Sequence, residues 1–566
     1  MAEFRTCPDT GFKIDLAAEK LIKWNAVTAV VFLLVGGLFG LLVVLTRWPA
    51  VHLLPSELFY LALTAHGLDT LLVWVIFFEI ALLYVTSCIL LSCRMAGPAW
   101  GWVSYWLMLI GAAVTNVAVL RTFDSGTNSI MFTSYPPMMG TPDFYAGIIL
   151  FAVGALIGCF VFFFTLHYAK KEGAYQGSIP LVTFGAMTAA IIAVFTVLSG
   201  AVILIPTLAW SAGLLGNIDT MLYRVIWWAM GHSSQQINVS AQIAVWYAIA
   251  AIIFGAKPLS EKVSRFAFLL YILFLQLASA HHLLSDPGIS SEWKIFNTSY
   301  ALYLAVLASM IHGLTVPGCI EAAQRKKGYT KGLFEWLTKA PWGNPVFSGM
   351  FLSLILFGFL GGITGVVLGT EQLNLIMHNT MYVPGHFHAT VATGTTLAFM
   401  AMAYWLVPTL WQRDLVMPGL AKWQPYLFGG GMGMLAIFQM GAGTVGAPRR
   451  HWDMSFADAE IAATVEPSAF MMMGAAGFFG VIASIGALIF ILNMVLTIMV
   501  GKPKRSAAAA PAEAPPPPPP SAATAHGDAG TMEVPGTFVL ALIFLVTFVL
   551  YYFVNWKYLA DVWYLS

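Results

Sequence analysis

The chain has 566 residues, of which 59% are hydrophobic and only 9% charged, with a mean hydropathy of +0.80, against roughly 25% charged residues in an ordinary soluble domain. This composition belongs to a polytopic membrane protein, and a net charge of +1 gives no electrostatic footprint for nucleic acid. The five cysteines (Cys7, Cys88, Cys93, Cys159 and Cys319) form no CxxC pair, so neither a disulfide framework nor a thiolate metal site is indicated.

In chain order, residues 1–24 are polar and amphipathic and read as a cytoplasmic N-terminal segment, with no cleavable signal peptide ahead of the first long apolar run. Runs of about twenty apolar residues begin near residues 25, 66, 101, 143, 180, 222, 264, 296, 343, 386, 426, 467 and 536. The expected fold is therefore all-α and integral to the membrane: twelve transmembrane helices over residues 25–500, then a thirteenth over 534–566. Between them, residues 501–533 form a Pro/Ala-rich linker, a semi-rigid polyproline spacer. Basic residues crowd alternate loops: Arg94; Lys170 and Lys171; Lys257, Lys262 and Arg265; Arg325, Lys326, Lys327 and Lys331; Arg413 and Lys422; Lys502, Lys504 and Arg505. These loops and the N-terminus are expected in the cytoplasm.

With directions assigned, each histidine acquires a depth. His66 opens the second span, His232 lies about ten residues into the sixth, His281 and His282 close the seventh, and His386 and His388 open the tenth. All six are expected in the outer half of the membrane, where imidazole is a ready ligand for heme iron or copper and ionisable groups are functional by default. His386 and His388, two residues apart, point to nearly opposite faces of one helix. A low-spin heme takes two imidazoles, a ligand-binding heme one, and an adjacent histidine-bound metal three. Heme propionates also need cations, which the adjacent pair Arg449 and Arg450 offers. A transporter would place its polar site at mid-depth between broken helices; these histidines gather toward one face instead.

The motifs LTAHG (63–67), SYPPM (134–138), WWAMGH (227–232), HHLLSDPG (281–288), HNTMYVPGHFH (378–388) and PRR (448–450) make residues 20–495 resemble subunit I of the heme-copper oxidase superfamily, the B family most closely. The resemblance implies that His66 and His388 ligate a low-spin heme, that His386 ligates a high-spin heme, and that His232, His281 and His282 hold a non-heme metal. It also implies that His378, Arg449 and Arg450 serve the propionates. The final span resembles a single-helix accessory subunit fused through the linker. No cupredoxin domain and no CxxCH is present, so electrons are expected from a partner subunit with a dinuclear copper site, fed by a soluble cytochrome c or cupredoxin, unless a quinol binds directly. The setting is a bacterial or archaeal cytoplasmic membrane.

One departure carries a functional expectation. Oxidases of this superfamily place a tyrosine four residues after the sixth-span histidine, cross-linked to it, as a source of an electron and a proton for O–O cleavage. Here that position is Gln236. Residues i and i+4 share a helix face, so an amide, which forms no radical at accessible potentials, is expected beside His232. Reducing two NO to N2O and water needs two electrons, both available from a binuclear centre. The chain thus looks similar to the nitric oxide reductases of the superfamily that lack the active-site tyrosine. Alternatives are a cytochrome c terminal oxidase and an NO-disproportionating relative. Three neutral imidazoles without an anionic oxygen suit copper better than ferrous iron, with iron left open. Gln235, Asn238 and Gln242 are further polar groups of the sixth span, for orienting substrate or for interhelical hydrogen bonds. Proton-path candidates are Glu79, Asp69, Tyr247 and Ser309, with His312 where the family has a threonine and Ile243 where it has a second tyrosine.

Overall fold

The computed structural model describes residues 3–131, 133–275, 279–456, 465–504 and 533–562. Most of the linker, with Arg505, lies outside these residues. A short antiparallel hairpin, β1 (Phe4–Thr6) with β2 (Lys13–Asp15), precedes the first helix. That helix, α1 (Leu16–Arg47), starts well before the apolar run expected near residue 25. The Asp15 side chain caps it by accepting from Ala17 N, and Glu19 in its first turn pairs with Arg5 and Lys23, each at 2.7 Å. Hydropathy marks where a helix meets lipid, whereas capping marks where it begins.

Among the described residues, eleven helices are long and apolar enough to cross a membrane. They are α1, α2 (Ser56–Ile89), α3 (Pro98–Arg121), α4 (Pro142–Lys171), α5 (Leu181–Ser211), α6 (Thr220–Phe254), α8 (Ser291–Lys326), α9 (Pro345–Leu368), α10 (Tyr382–Trp411), α12 (Pro467–Val500) and α13 (Pro535–Val562). Two more helical stretches stand at the remaining expected positions: α7 (261–275) and α11 (Pro418–Thr444). The latter is less apolar because its first turns carry Lys422 and Gln424 and its middle a run of glycines. Those glycines let helices touch at backbone distance: a Cβ on Gly431 would lie 2.7 Å from the Ala483 nitrogen of α12, and one on Gly486 2.5 Å from that of Phe428.

Burial sorts the helices. The apolar windows of α2, α6 and α10 are 89%, 83% and 83% buried, against 6% for α13. The three helices surrounded by protein therefore carry His66, His232, His386 and His388, while α13 lies against the outside of the bundle. It is held there by the buried Glu321 of α8, which accepts from Gly536 N at 3.0 Å and Thr537 N at 2.6 Å, and by Tyr551, hydrogen-bonded to Tyr382 at 2.9 Å. Inside α2, α9 and α10 the hydrogen-bond ladder widens to π-helix at Leu68–Trp74, Phe357–Gly362 and His388–Thr396. Such insertions recur at functional sites.

Candidate metal and cofactor centre

The backbone decides which nitrogen each imidazole presents. His66 Nδ1 donates to the Gly36 carbonyl at 2.9 Å, and His388 Nδ1 donates to the Pro384 carbonyl at 2.8 Å. Both rings therefore keep Nε2 as the free lone pair. The ring centroids lie 6.4 Å apart with planes 18° from parallel, a separation that accommodates one metal atom held by both Nε2 atoms on bonds of about 2 Å. Room for His66 depends on Gly40, where a Cβ would stand 2.7 Å from the ring. Two near-parallel imidazoles, each with Nδ1 engaged by a carbonyl and Nε2 left as the ligating atom, fit a bis-histidine heme.

The α-helical stretch ends at Phe387 and His388 opens the π segment; His386 turns the other way, as two residues on one helix separated by one position must. Its Nδ1 donates to Thr364 Oγ1 at 2.9 Å, while the Thr364 hydroxyl donates to the Leu360 and Gly361 carbonyls. The free Nε2 suits a single axial ligand. His232, His281 and His282 come together from α6 and from the turn Ala280–His282, each offering a ligand atom within 4.8 Å of the others'. His232 Nδ1 lies 3.1 Å from His282 Nε2, close to the spacing of two donors on one ion. Trp228, one turn before His232, stacks on His282 with centroids 3.7 Å apart and planes 4° from parallel, which fixes that ring. Three neutral nitrogens make a borderline-soft site suited to copper.

Gln236 is seated directly on this cluster. Its Nε2 is 3.0 Å from His232 Nε2, on the ring edge opposite the nitrogen that faces His282. An amide has both a donor and an acceptor, so it can serve either tautomer of His232. One cavity of about 840 Å³ is lined by His66, His388, His386, His232, Gln236 and Arg449, among others.

Arg449 and Arg450 follow α11 in a loop, with Arg450 at φ +66° and its guanidinium 5.7 Å from the Tyr135 ring centroid. Burial, then the neighbouring cation, push Arg449 down to about 9, and burial lowers Arg450 too. Neither has an ion pair among the described residues, and the buried Arg449 Nε has no partner. Two half-buried cations without a carboxylate fit an anion such as a propionate pair. His378, ahead of α10, is pushed down to about 4 by burial and then by Arg449, which leaves it neutral near pH 7. Arg224, by contrast, is already engaged by Asp286 at 2.6 Å.

The remaining predicted residues fall into separate groups. Glu79 of α2 accepts from Asn238 of α6 at 2.9 Å when that amide presents its nitrogen, and both line the cavity with Gln235. Asp69 accepts from Asn116 at 2.8 Å. Gln242 makes an interhelical bond, accepting from Thr395 at 2.7 Å. The Tyr247 hydroxyl meets Ser264 at 3.0 Å, His312 Nδ1 at 3.1 Å and Thr315 at 2.6 Å. Ser309 bonds not Tyr247 but Tyr271, at 2.7 Å. Sequence reasoning missed Trp228, Thr364 and Tyr271; the first stood four residues before His232 on the same face.

The chain can now be compared with known proteins. The profile of the family described as cytochrome c and quinol oxidase polypeptide I matches residues 20–489. Cytochrome c oxidase subunit 1 of Thermus thermophilus is 31% identical over 485 residues, covering 82% of this chain and 81% of the relative. Quinol oxidase subunit 1 of Bacillus subtilis is 22% identical, covering 76% and 66%. A solved chain of a heme-copper terminal oxidase dimer superposes with a TM-score of 0.80 at 26% identity, covering 95% of this chain and 92% of that one.

Proposed function

This chain belongs to the cytochrome c and quinol oxidase polypeptide I family, and from that premise we propose that it is the catalytic subunit of a membrane-bound nitric oxide reductase, converting two NO to N2O and water. The observation that carries the reading is Gln236, whose amide lies 3.0 Å from His232 Nε2 at the position where a redox-active phenol would serve O2 cleavage.

His66 and His388 would hold a low-spin heme, His386 a high-spin heme, and His232, His281 and His282 a non-heme metal, copper by donor chemistry with iron open. When bound, these groups supply electron transfer and the two electrons that NO coupling consumes. The chain's own residues do the rest. The Gly36 and Pro384 carbonyls hold two imidazoles in the ligating tautomer, and Thr364 does so for His386. Gln236 hydrogen-bonds the outer edge of His232, and Trp228 keeps His282 in plane. Arg449 and Arg450, with His378, would bind the propionates. The largely apolar cavity wall admits a small neutral gas and excludes bulk water. Proton-path candidates are Glu79, Tyr247, Ser309 and His312.

In this reading residues 25–500 are the catalytic core, residues 534–566 a fused accessory helix, and the N-terminus faces the cytoplasm of a bacterial or archaeal cell. A subunit II with a dinuclear copper site brings electrons from cytochrome c or a cupredoxin, with a quinol as the other donor. A second reading, O2 reduction, is favoured by the Thermus relative's name and its 31% identity; an NO-disproportionating activity would need no donor. The experiment is anaerobic mixing of the fully reduced complex with isotopically labelled NO. One labelled N2O per two NO, with both hemes oxidised, supports reduction; hemes that stay reduced under NO but oxidise at once with O2 reject it.

A further inference from the structure

The cysteines form no CxxC pair, yet two of them meet at the end of α2 remote from His66. The way that helix stops brings them together. Ser92 N donates to the Ile89 carbonyl at 3.1 Å and Cys93 N to the Cys88 carbonyl at 3.0 Å, around Ser92 at φ +48°. These two bonds about a left-handed residue make a Schellman ending, in which the side chains at the two ends of the longer bond touch. Here those side chains are Cys88 and Cys93. The Cys88 thiol hydrogen-bonds that of Cys93. The Cys93 thiol donates to the Ser87 carbonyl at 3.1 Å, and Cys88 Sγ lies 3.7 Å from Ser87 Oγ. A contact that apolar side chains usually fill is made by two thiols.

The two sulfurs are not equivalent. Cys88 is fully buried, whereas Cys93, 5% exposed, stands between half-buried Ser92 and exposed Arg94, where the chain leaves the bundle. The hydrogen bond from Cys88 holds the Cys93 thiol below its ordinary value, outweighing burial and the carboxylates of Glu172 and Asp15. A thiolate is the attacking form of cysteine, so Cys93 reacts first and Cys88 is placed to resolve it. A disulfide tolerates Cα atoms up to about 7 Å apart. The 3.0 Å bond from the Cys93 amide to the Cys88 carbonyl keeps the pair inside that limit. Arg94 belongs to the loops expected in the cytoplasm, a compartment in which disulfides form transiently.

We propose that Cys88 and Cys93 are a modification site, a dithiol that a hydroperoxide oxidises reversibly to a disulfide at the end of α2. The Cys93 sulfur attacks one oxygen of hydrogen peroxide: an S–O bond forms, the O–O bond breaks, and the departing hydroxide takes up the Cys93 proton as water. The Cys88 sulfur then attacks that of Cys93: the S–S bond forms, the S–O bond breaks, and a second water leaves with the Cys88 proton. Two electrons pass from the sulfurs to the peroxide, and an external thiol returns them. Two residues on, Met95 N donates to Asp15 at 2.9 Å, and Asp15 caps α1. The disulfide therefore staples α2 beside the start of α1. Which gas the cavity reduces has no bearing on this chemistry.

The test exposes the intact purified complex to hydrogen peroxide, quenches with catalase, alkylates the remaining thiols in denaturant and maps them by mass spectrometry. The peptide carrying Cys88 and Cys93 is expected to lose both alkyl groups together and to regain them after treatment with dithiothreitol. That loss should run roughly tenfold or more faster than any loss at Cys7, Cys159 or Cys319. Cys88→Ser should stop at a sulfenic acid on Cys93 that dimedone captures, and Cys93→Ser should leave Cys88 unoxidised, with the low-spin heme spectrum reporting assembly. Loss at Cys88 and Cys93 no faster than at the other three cysteines overturns the site, as does wild-type oxidation of Cys88 in Cys93→Ser. Should a variant fail to assemble, the wild-type peptide decides alone: a reducible bridge between Cys88 and Cys93 supports the site, and separate sulfinic acids on the two overturn it.

Discussion

Replacing Gln236 by leucine keeps its volume and removes its amide. In the structure that amide is the partner of His232 Nε2 at 3.0 Å, and His232 is only 5% exposed, so water does not substitute. Leaving a buried polar atom unpaired costs about 1–3 kcal/mol. Since about 1.4 kcal/mol is tenfold in an equilibrium constant, the three-histidine site should bind its metal roughly fivefold to over a hundredfold more weakly, in line with the effect of outer-shell partners elsewhere. The assay is graded chelator challenge of the purified complex, counting retained non-heme metal against heme iron, with the low-spin heme spectrum as the control for folding. Gln236→Glu should restore retention and move the metal content from copper toward iron, because a carboxylate supplies the hard anionic donor that the site lacks. If Gln236→Leu holds its metal as tightly as the wild type, the amide is not part of the site.

Three other perturbations follow from contacts described above. Gly40→Ala puts a methyl 2.7 Å from the His66 ring; the imidazole must turn away from the Gly36 carbonyl, and the complex should lose or shift its low-spin heme absorption while keeping the non-heme metal. Glu321→Ala strips two backbone donors of α13 and Arg325 of a fully buried carboxylate, a loss of about 3–5 kcal/mol. After proteolytic cutting within residues 505–532, α13 should leave the variant in detergent and stay with the wild type. Arg449→Leu removes one of two half-buried cations, disfavouring the reduced, less positive state of a nearby heme. Its midpoint potential should fall, on the order of 60 mV for about 1.4 kcal/mol, in spectroelectrochemical titration.

Much of this arrangement was legible because a membrane constrains a sequence strongly. Span directions and positions along each span gave the six histidines a common depth, and the i, i+4 rule put Gln236 on the His232 face. What escaped was set by backbone detail. The i, i+2 spacing of His386 and His388 already put them on opposite faces, but nothing in hydropathy separates a π turn from an α turn, so the change of ladder after Phe387 could not be read. The carbonyls of Gly36 and Pro384 have no side-chain signature, although they determine the tautomers of His66 and His388. Tyr271 was hidden because its hydroxyl meets Ser309 of another helix, α8, a pairing that no spacing along the sequence announces. Helix α1 begins ahead of the apolar run near residue 25 because Asp15 caps it and Glu19 is paired in its first turn, signals that hydropathy does not register.

The most direct test of the functional claim is steady-state turnover of the complex with one reductant and either gas, measuring N2O formation and O2 uptake side by side. The account predicts sustained N2O production under NO with O2 uptake at least tenfold slower, and a wild-type preference that shifts little when Gln236→Leu has been reloaded with metal. Rapid four-electron O2 reduction to water with little N2O would contradict it, and would direct attention to a phenol elsewhere in the cavity as the source of the missing electron.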